Sequence, residues 1–341
     1  MSLVSLATKA VERLPIADPI TRAGVNFLVG RTRRQLAVAD FSDEAFIAEL
    51  DKRPIAINTA EANAQHYEIP AAFFARVLGP RRKYSSCLYV RPDASLAEAE
   101  ECALAETAAH ADLHDGQSIL ELGCGWGSLS LWMAERLPKA SITAVSNSHS
   151  QRAYIEAEAA RRGFQNLTVI TADINDFAPT QTFDRVVSVE MFEHMSNWRA
   201  LLTRVRSWIA PDGLLFIHIF AHRSTAYLFS QGDSDDWIGQ HFFTGGIMPS
   251  HSLIRSFSDL FAVEEEWRWS GTHYARTARH WLENFDRAAA ETRRIFDEIY
   301  GEEAPLFMRR WRLFFLATEG LFGNDNGNAW GASHYRLRPQ S

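Results

Sequence analysis

The feature that most constrains this chain is a short apolar segment that runs directly into a glycine-rich turn. Residues 118–122 read Ser-Ile-Leu-Glu-Leu, and Gly123, Gly125 and Gly127 follow before the helix-like segment 129–136. Glycines let a backbone turn sharply and approach a ligand without a Cβ in the way, and the N-terminus of the following helix offers free N–H groups. The segment therefore predicts a strand, a tight turn and a helix around a bound ligand.

The spacing of the glycines narrows the choice of ligand. A dinucleotide-binding turn carries Gly-x-Gly-x-x-Gly, whereas these glycines alternate and Glu121 precedes them at the end of the strand. A carboxylate at that point is placed to hold the amino group of a methionine moiety. The turn thus predicts a site for S-adenosylmethionine, with S-adenosylhomocysteine as the product of methyl transfer. Taken alone, the turn also fits a site for another nucleotide or an ordinary connection between strand and helix.

Composition excludes several classes of protein. The chain has 341 residues, of which 46% are hydrophobic and 23% charged, which is ordinary for a globular protein. A formal net charge of −7 argues against nucleic acid as a partner, because phosphate binding requires a basic face. The charge is uneven, since residues 1–40 carry +3 and the rest of the chain −10.

The cysteines and the apolar runs predict where such a protein works. Cys87, Cys102 and Cys124 have no metal-like spacing, and an odd number suits a reducing compartment. Charged residues interrupt residues 1–14, and no run of about 18 apolar residues occurs elsewhere. We therefore expect a cytoplasmic enzyme with no metal site, no secretory signal and no membrane span.

Short apolar runs alternate with longer gaps from residue 117 onward. The five runs, rich in β-branched residues, are 119–122, 142–145, 167–171, 185–189 and 214–219. Each gap is long enough for a crossover helix, which predicts a parallel, doubly wound sheet. Two later runs, 261–269 and 329–338, are expected to close one sheet edge as antiparallel strands, with a helical stretch over 277–311 between them.

The segment before the sheet has a different pattern. Residues 1 to about 75 predict short helices separated by Pro15, Pro19 and Pro54. The predicted fold is α/β: a class I, Rossmann-like S-adenosylmethionine methyltransferase with a doubly wound seven-stranded sheet, an N-terminal helical cap and helical insertions. The predicted cap spans 1–83, and the methyltransferase domain spans 84–341 with a helical acceptor-site insertion at about 223–325.

In a sheet of this kind the ligand lies at the carboxyl ends of the strands. Asn147 and Gln151 follow the second predicted strand, Asp173 and Ile174 follow the third, and Glu190 follows the fourth, so all five are candidates for contact with the cofactor. Asp173 could accept a hydrogen bond from the adenine amine while Ile174 packs on the ring; alternatively, Asp173 is a turn or N-cap residue. Asn147 stands where most enzymes of this fold have an acid for the ribose hydroxyls, and its amide binds a diol less strongly than a carboxylate.

Ionisable residues cluster directly after the fourth predicted strand. Glu190, Glu193 and His194 would share one face if the chain turned helical there, because their spacing is i, i+3 and i+4. Such a cluster predicts a base, or a cation-stabilising pair, that faces the methyl acceptor. The alternative is a capping glutamate beside a hydrogen-bonded histidine. His218, within the apolar run 216–220, either faces the same cleft or is a core residue.

Several motifs in consistent order resemble the cyclopropane-fatty-acid synthase superfamily, and within it the branch of coclaurine and related benzylisoquinoline N-methyltransferases. The resemblance covers about 62–285 and rests on residues 63–70, 84–87, 121–127, 190–195, 236–237, 243–246 and 273–274. It implies that S-adenosylmethionine is held by Tyr84, Ser85, Gly123, Gly125, Asn147, Gln151, Asp173 and Ile174.

The resemblance also implies two sets of catalytic positions. In lipid-cyclopropanating members, a bicarbonate ion that takes a proton is held at the positions of Cys87, Glu193, His218 and Tyr274. In N-methylating members, the matches to Glu193 and His194 serve the substrate amine. Glu190 separates the two branches, because the lipid enzymes typically have glycine there, although all four bicarbonate residue types are also present in this chain.

The sequence thus predicts methyl transfer to the nitrogen of a small, apolar or aromatic amine, with Glu193 and His194 assisting deprotonation. The alternative is methylation or cyclopropanation of the double bond in an unsaturated fatty acyl phospholipid chain, with the basic residues 1–40 in peripheral contact with a membrane. A homodimer is compatible with both. A third alternative from another class is a cofactor-binding scaffold without catalysis.

Overall fold

The structure, a computed structural model, describes residues 3–57, 69–229, 236–243 and 245–340, with side chains from residue 8 onward within those ranges. Parts of two motifs named above, residues 63–68 and residue 244, lie outside the described residues.

A single mixed sheet of seven strands organises the described residues. The strands in chain order are β1 Ser118–Leu122, β2 Ser141–Ser146, β3 Leu167–Thr171, β4 Phe183–Val189, β5 Ile209–His222, β6 Tyr227–Leu228, β7 Ile247–Met248, β8 Phe261–Ser270 and β9 Trp330–Pro339. The sheet order is β3-β2-β1-β4-β5-β9-β8, and β6 pairs separately with β7. Strands β1 to β5 pair in parallel, whereas β9 runs antiparallel to both β5 and β8. The predicted fold class is confirmed.

Helices precede the sheet and fill most of the connections between its parallel strands, but the predicted crossover helix between β3 and β4 was wrong, because only turns occupy residues 172–182. In chain order they are α1 Leu3–Arg13, α2 Asp18–Ala37, α3 Asp43–Leu50, α4 Ala71–Val77, α5 Leu96–His110, α6 Ser128–Arg136, α7 His149–Arg162, α8 Trp198–Ser207, α9 Trp237–His241, α10 Gly271–Arg287, α11 Ala289–Tyr300 and α12 Ala304–Gly323. α10 packs on α12, which also contacts α2. None of the helices in these described ranges is long and apolar enough to cross a bilayer.

Three prolines near the N-terminus were predicted to separate helices, and this prediction was wrong for Pro19. Pro19 lies within the first turn of α2 rather than between two helices. Proline is tolerated there because the first N–H groups of a helix have no partner within the helix. Pro15 lies between α1 and α2 as expected, and Pro54 follows α3.

Two apolar cores hold the ends of the central strands in place. Leu120, Val186 and Ile217 on neighbouring strands pack in one core with Trp198 of α8. The second core is aromatic and joins α4, α10 and α12 through Phe73, Phe74, Trp281, Trp311 and Phe315. Aromatic side chains bury a large area with few rotatable bonds, so this core fixes the helices that cover the carboxyl ends of the strands.

Gly271, the first residue of α10, lies where three backbone segments meet. A Cβ at Gly271 would lie 2.2 Å from the carbonyl oxygen of Trp330 and 2.3 Å from that of Phe322. Because backbone atoms cannot move aside without disturbing β9 and α12, we expect Gly271→Ala to lower the free energy of unfolding by about 1–3 kcal/mol. Urea denaturation followed by circular dichroism measures this change.

Gly24 in α2 provides the matched control. A Cβ there meets no atom of the described residues within 4 Å. Gly24→Ala should therefore leave stability unchanged or raise it slightly, because alanine favours a helix interior. Equal denaturation midpoints for the two alanine variants would contradict the close packing at the start of α10.

Candidate active site

The carboxyl ends of β1 to β4 open into a cleft with two adjoining lobes. The first lobe holds about 610 Å³ of empty space between the glycine turn and residues 82–85. The second holds about 840 Å³ between the ends of β2 and β3 and residues 190–195. The lobes are parts of one site because they share Gly123, Gly125, Gln151 and Glu190.

The glycine turn has the left-handed backbone that its sequence predicts. The φ angles of Gly123, Gly125 and Gly127 are 76°, 52° and 75°. The Cβ direction at Gly125 is open, with no atom of the described residues within 4 Å. A ligand can therefore approach the backbone closely at this residue.

Buried polar atoms beside the turn point to a polar ligand. Within the described part of the chain, several buried polar atoms on residues that line the first lobe have no hydrogen-bond partner, among them Trp126 Nε1, Ser128 Oγ and Gln151 Nε2. Buried polar groups are normally satisfied, so these atoms are expected to bind a ligand that the lobe receives. The amino-acid end of S-adenosylmethionine fits this set, because its carboxylate accepts hydrogen bonds from N–H and O–H donors.

Glu121 lies at the inner wall of the first lobe, directly before the glycine turn. It is only 3% exposed, and the hydroxyl of Ser130 donates to its carboxylate. Burial raises the pKa of Glu121 to about 8. A cationic ammonium group beside this carboxyl would favour its ionised form, which suits the amino group of the cofactor.

The second lobe receives the residues predicted for the nucleoside. Asn147, Asp173 and Ile174 all line this lobe. The Oδ1 atom of Asp173 accepts hydrogen bonds from the backbone N–H of Asn175 at 2.8 Å and from its side-chain amide at 2.9 Å. Asp173 therefore caps a turn and also lines the cleft, and its contact with the adenine stays a prediction. Gln151 is oriented by the hydroxyl of Ser146, which donates to its Oε1 at 2.6 Å.

Glu190 lies at the junction of the two lobes with a left-handed backbone, φ 49°. Its Oε1 accepts from the backbone N–H of Ser86 at 2.9 Å, and its Oε2 accepts from the hydroxyl of Tyr274 at 2.7 Å. His218 Nε2 lies 3.3 Å from Oε1. Burial raises the pKa of Glu190, while the positive charge of Lys83 and these hydrogen bonds oppose that rise.

Residues 190–194 do not form the continuous helix on which a shared face of Glu190, Glu193 and His194 depended. A single 3₁₀ turn spans Phe192–His194, because Glu190 takes the left-handed conformation before it. Glu190 and His194 line the second lobe, whereas Glu193 is fully buried and its Oε1 accepts from the backbone N–H of Phe220 at 2.6 Å. Burial raises the pKa of Glu193 well above its usual value.

His194 is fixed against an aromatic ring at the wall of the second lobe. Its imidazole stacks on Phe243 with ring centroids 5.0 Å apart and planes 6° apart. Burial lowers the pKa of His194 to about 4, so the imidazole is neutral at pH 7. A neutral imidazole keeps one nitrogen that can accept a hydrogen bond from a ligand.

The other predicted catalytic residues lie behind the cleft wall. Cys87 is fully buried, and its backbone N–H donates to the hydroxyl of Thr277 at 3.1 Å. Burial raises the pKa of the Cys87 thiol, so it remains protonated at pH 7. Tyr274 and His218 contact the cleft through Glu190, whereas Tyr84 and Ser85 line the first lobe directly.

Lys83 is a site residue that sequence analysis missed. It is 2% exposed, lines the first lobe and donates a hydrogen bond from Nζ to the hydroxyl of Ser85. Burial lowers its pKa, and the nearby Glu190 and Glu100 oppose this effect. Lysine is almost always exposed in folded proteins, so its position beside the 84–87 motif gave no signal of burial.

Together, the alternating glycine turn, the buried acid before it and the polar strand ends define an S-adenosylmethionine-dependent methyltransferase with a Rossmann-like sheet. The chain belongs to the mycolic acid cyclopropane synthetase family, whose model matches residues 56–330. The predicted superfamily and its N-methyltransferase-like branch are thereby confirmed, as the following similarities show.

Relatives and solved structures resemble the chain over most of its length. The chain is 37% identical over 290 residues to (S)-coclaurine N-methyltransferase of Thalictrum flavum subsp. glaucum. The aligned segment covers 84% of this chain and 80% of the relative. A crystal structure of coclaurine N-methyltransferase bound to N-methylheliamine and S-adenosylhomocysteine superposes with a TM-score of 0.94 at 32% identity, covering 99% of this chain and 100% of the other. A cyclopropane synthase of Mycobacterium tuberculosis shares the fold, with a TM-score of 0.68 at 20% identity over 83% of this chain and 98% of the other.

The raised pKa of Glu121 predicts that cofactor binding releases a proton. A carboxyl with a pKa of about 8 is mostly protonated at pH 7, and a bound ammonium group makes it ionise. We expect about one proton to be released when S-adenosylhomocysteine binds at pH 7. Isothermal titration calorimetry in buffers of different ionisation enthalpy measures this number.

The control for this measurement is Glu121→Gln, which keeps an acceptor for the Ser130 hydroxyl and cannot titrate. The variant should bind S-adenosylhomocysteine more weakly and release no proton. If wild type and variant release the same number of protons, the proton comes from another group. The proposed ionisation of Glu121 by the cofactor would then be refuted.

Proposed function

We propose that the enzyme transfers the methyl group of S-adenosylmethionine to the nitrogen of a small, apolar or aromatic amine. The observation that carries this proposal is the carboxylate of Glu190 at the junction of the two lobes. It is held by the Ser86 N–H and the Tyr274 hydroxyl. A fixed, buried carboxylate beside a cofactor lobe attracts an ammonium group and can accept its proton.

The reaction requires a neutral amine, because only the free lone pair attacks the methyl group. When bound, S-adenosylmethionine supplies that methyl group on a positively charged sulfur. Glu190 receives the proton of the incoming ammonium group, and its raised pKa improves the match between base and substrate. The neutral His194 accepts a second hydrogen bond from the amine and orients its lone pair.

The role of Glu193 follows from its burial. Glu193 does not line either lobe, so we assign direct contact with the amine to Glu190 and His194. Glu193 supports them from behind, since its carboxyl accepts the Phe220 N–H, and burial raises its pKa well above the usual value, which favours the neutral form. This arrangement limits repulsion between two adjacent carboxyl groups.

Aromatic rings around His194 support an amine with an apolar or aromatic body. Phe243 stacks on His194, Phe229 lies 5.2 Å from Phe243 between ring centroids, and Phe220 lies 5.4 Å from it. Aromatic faces attract both flat apolar rings and cations, so they suit an aromatic ammonium substrate.

The lipid alternative has less support in the site. It requires a bicarbonate ion among Cys87, Glu193, His218 and Tyr274. Here the Glu190 carboxylate already accepts the Tyr274 hydroxyl and lies 3.3 Å from His218. A side-chain carboxylate thus takes the contacts that a bound anion would need, and we propose that the enzyme works without bicarbonate.

Three further predictions remain proposals. We propose that the chain divides into a cap over 1–83 and a methyltransferase domain over 84–341 with the acceptor-site insertion at about 223–325. We also propose that the enzyme is cytoplasmic and forms a homodimer. Peripheral membrane contact through residues 1–40 belongs to the lipid alternative; Ile20 and Phe27 of α2, exposed by 66% and 65%, would serve it.

Replacing Glu190 separates the two substrate classes. With tetrahydroisoquinoline as the amine, Glu190→Gln should lower kcat/KM by roughly 10²-fold or more, since the base is lost. Affinity for S-adenosylhomocysteine should change little. Transfer of label from methyl-labelled S-adenosylmethionine to the amine, and to vesicles of monounsaturated phospholipid, measures both activities.

Two comparisons make the result decisive. Glu298→Gln, in α11, is the matched control at a distant position and should retain full activity. Glu190→Gly restores the residue typical of the lipid enzymes and should also abolish amine methylation. Label found only in the phospholipid, and retained in Glu190→Gly, would refute the amine proposal and favour the lipid alternative.

A further inference from the structure

Two consecutive cationic residues, Arg82 and Lys83, line the first lobe without an acid paired to them. Lys83 is only 2% exposed, and both residues contribute to the wall of that lobe. Within the described residues neither forms a salt bridge, whereas the preceding Arg81 pairs with Glu101 and Glu135. Buried charges in proteins are normally paired. The two cations therefore predict that the lobe receives an anionic group.

The hydrogen bonds of both side chains leave donors for a ligand. Lys83 Nζ donates to the hydroxyl of Ser85, so the hydrogen of that hydroxyl remains available to another acceptor. Arg82 Nη1 donates to the carbonyl of Gly79 at 2.9 Å, but the buried Nε has no hydrogen-bond partner in the described part of the chain. A buried guanidinium donor without an acceptor is uncommon. The lobe thus offers charged as well as neutral donors to an anionic group.

Glu100 fixes the backbone that carries the two cations. Its buried carboxyl group on α5 accepts from the backbone N–H of Arg81 at 2.8 Å and from that of Lys83 at 3.2 Å. Arg82, between these two residues, has a left-handed backbone with φ 56°. That conformation is strained for a residue with a side chain and persists only where the surroundings fix it. The fold therefore maintains strain at the point where it places two positive charges beside the cofactor lobe.

The first lobe also contains a buried acid that does not neutralise these cations. Glu121 lines the same lobe, and across the described ranges it forms no salt bridge with Lys83 or Arg82. The lobe thus presents separate positive and negative groups. A ligand that carries both an ammonium group and a carboxylate compensates both. The amino-acid end of S-adenosylmethionine carries these two groups, whereas its nucleoside carries neither.

We propose that Lys83 and Arg82 bind the carboxylate of the cofactor's amino-acid end and thereby make the first lobe selective for a zwitterion. The Ser85 hydroxyl, which accepts from Lys83, donates its own hydrogen to the same carboxylate. Glu121 binds the ammonium group. The proposal concerns the cofactor and does not depend on which acceptor is methylated.

The competing role of Lys83 is to balance acids of the protein itself. Glu190 and Glu100 favour its charged form, yet neither forms a salt bridge with it in the described structure. Glu190 receives its hydrogen bonds from the Ser86 N–H and the Tyr274 hydroxyl instead. A lysine that served only these acids would affect ligands with and without a carboxylate alike. One ratio of affinities therefore separates the two roles.

The test measures the affinities of two ligands by isothermal titration calorimetry at pH 7. One ligand is S-adenosylhomocysteine, and the other is its decarboxylated analogue, in which a hydrogen atom replaces the carboxylate. We expect wild type to bind S-adenosylhomocysteine more tightly than the analogue. Lys83→Met should reduce this ratio of affinities by about 10-fold or more, because the carboxylate loses a charged partner. Affinity for the analogue should change little.

Three further variants complete the comparison. Arg82→Gln should reduce the same ratio, and it decides the question if circular dichroism shows that Lys83→Met does not fold. Glu121→Gln should weaken both ligands and keep their ratio, because both ligands carry the ammonium group. Lys139→Met, which removes an exposed lysine, is the matched control and should leave both affinities unchanged.

The proposal fails if the ratio stays at its wild-type value in Lys83→Met, or in Arg82→Gln where Lys83→Met does not fold. This holds whether both affinities fall together or neither changes, because either result leaves the carboxylate without a charged partner at these residues. The measurements contain no methyl acceptor, so such a failure would not bear on the proposed amine methylation.

Discussion

The site depends on one buried carboxylate, that of Glu190, a residue that three separate segments hold in place. Its own N–H donates to the carbonyl of His218 on β5, at 2.8 Å. The Ser86 N–H, from the loop after α4, and the Tyr274 hydroxyl, from α10, each donate to one carboxylate oxygen. Removing a carboxylate from water is costly unless such donors replace the water. The segments that carry these donors must therefore be correctly placed for Glu190 to be buried.

The left-handed backbone of Glu190 is part of the same constraint. A non-glycine residue with φ 49° is strained, and it persists only where the surroundings fix it. Glycine would adopt this conformation without strain, but it would leave the Tyr274 hydroxyl and the Ser86 N–H without the carboxylate they contact. The chain therefore tolerates backbone strain at the point where the two lobes meet, which is where a charge is useful for chemistry.

The sheet could be predicted from sequence because buried parallel strands are nearly continuous apolar runs. The runs at 119–122 and 142–145 fall within β1 and β2, because both strands have a paired neighbour on each side. The glycine turn was predictable for a related reason, since positive φ angles restrict the residue type. The ionisable residues after β4 could be identified as a candidate site, but their backbone conformation could not be predicted. A single residue with a left-handed backbone interrupts a helix, and nothing in the order of residue types reveals it.

The buried cation Lys83 and the contact between His110 and His334 could not be found from sequence. His110 and His334 are 224 positions apart, and their contact depends on how β9 aligns with β5 and β8. A shift of one residue in that register would turn His334 to the other face of the sheet. Lys83 likewise reads as an ordinary surface residue until the structure places it beside Ser85 and near Glu190.

Two buried carboxyl groups lie at the ends of neighbouring strands, and both are prepared for cations. Glu121 is the last residue but one of β1, and Glu190 follows β4, which pairs with β1 in parallel. Burial raises the pKa of each, so each gains most from a positive charge that arrives with a ligand. The cofactor brings an ammonium group to the first and the proposed substrate brings one to the second. Burying these two carboxyl groups costs free energy in the protein without ligands, and a cationic ligand compensates that cost. A neutral ligand of the same shape could not, so both positions favour cationic ligands.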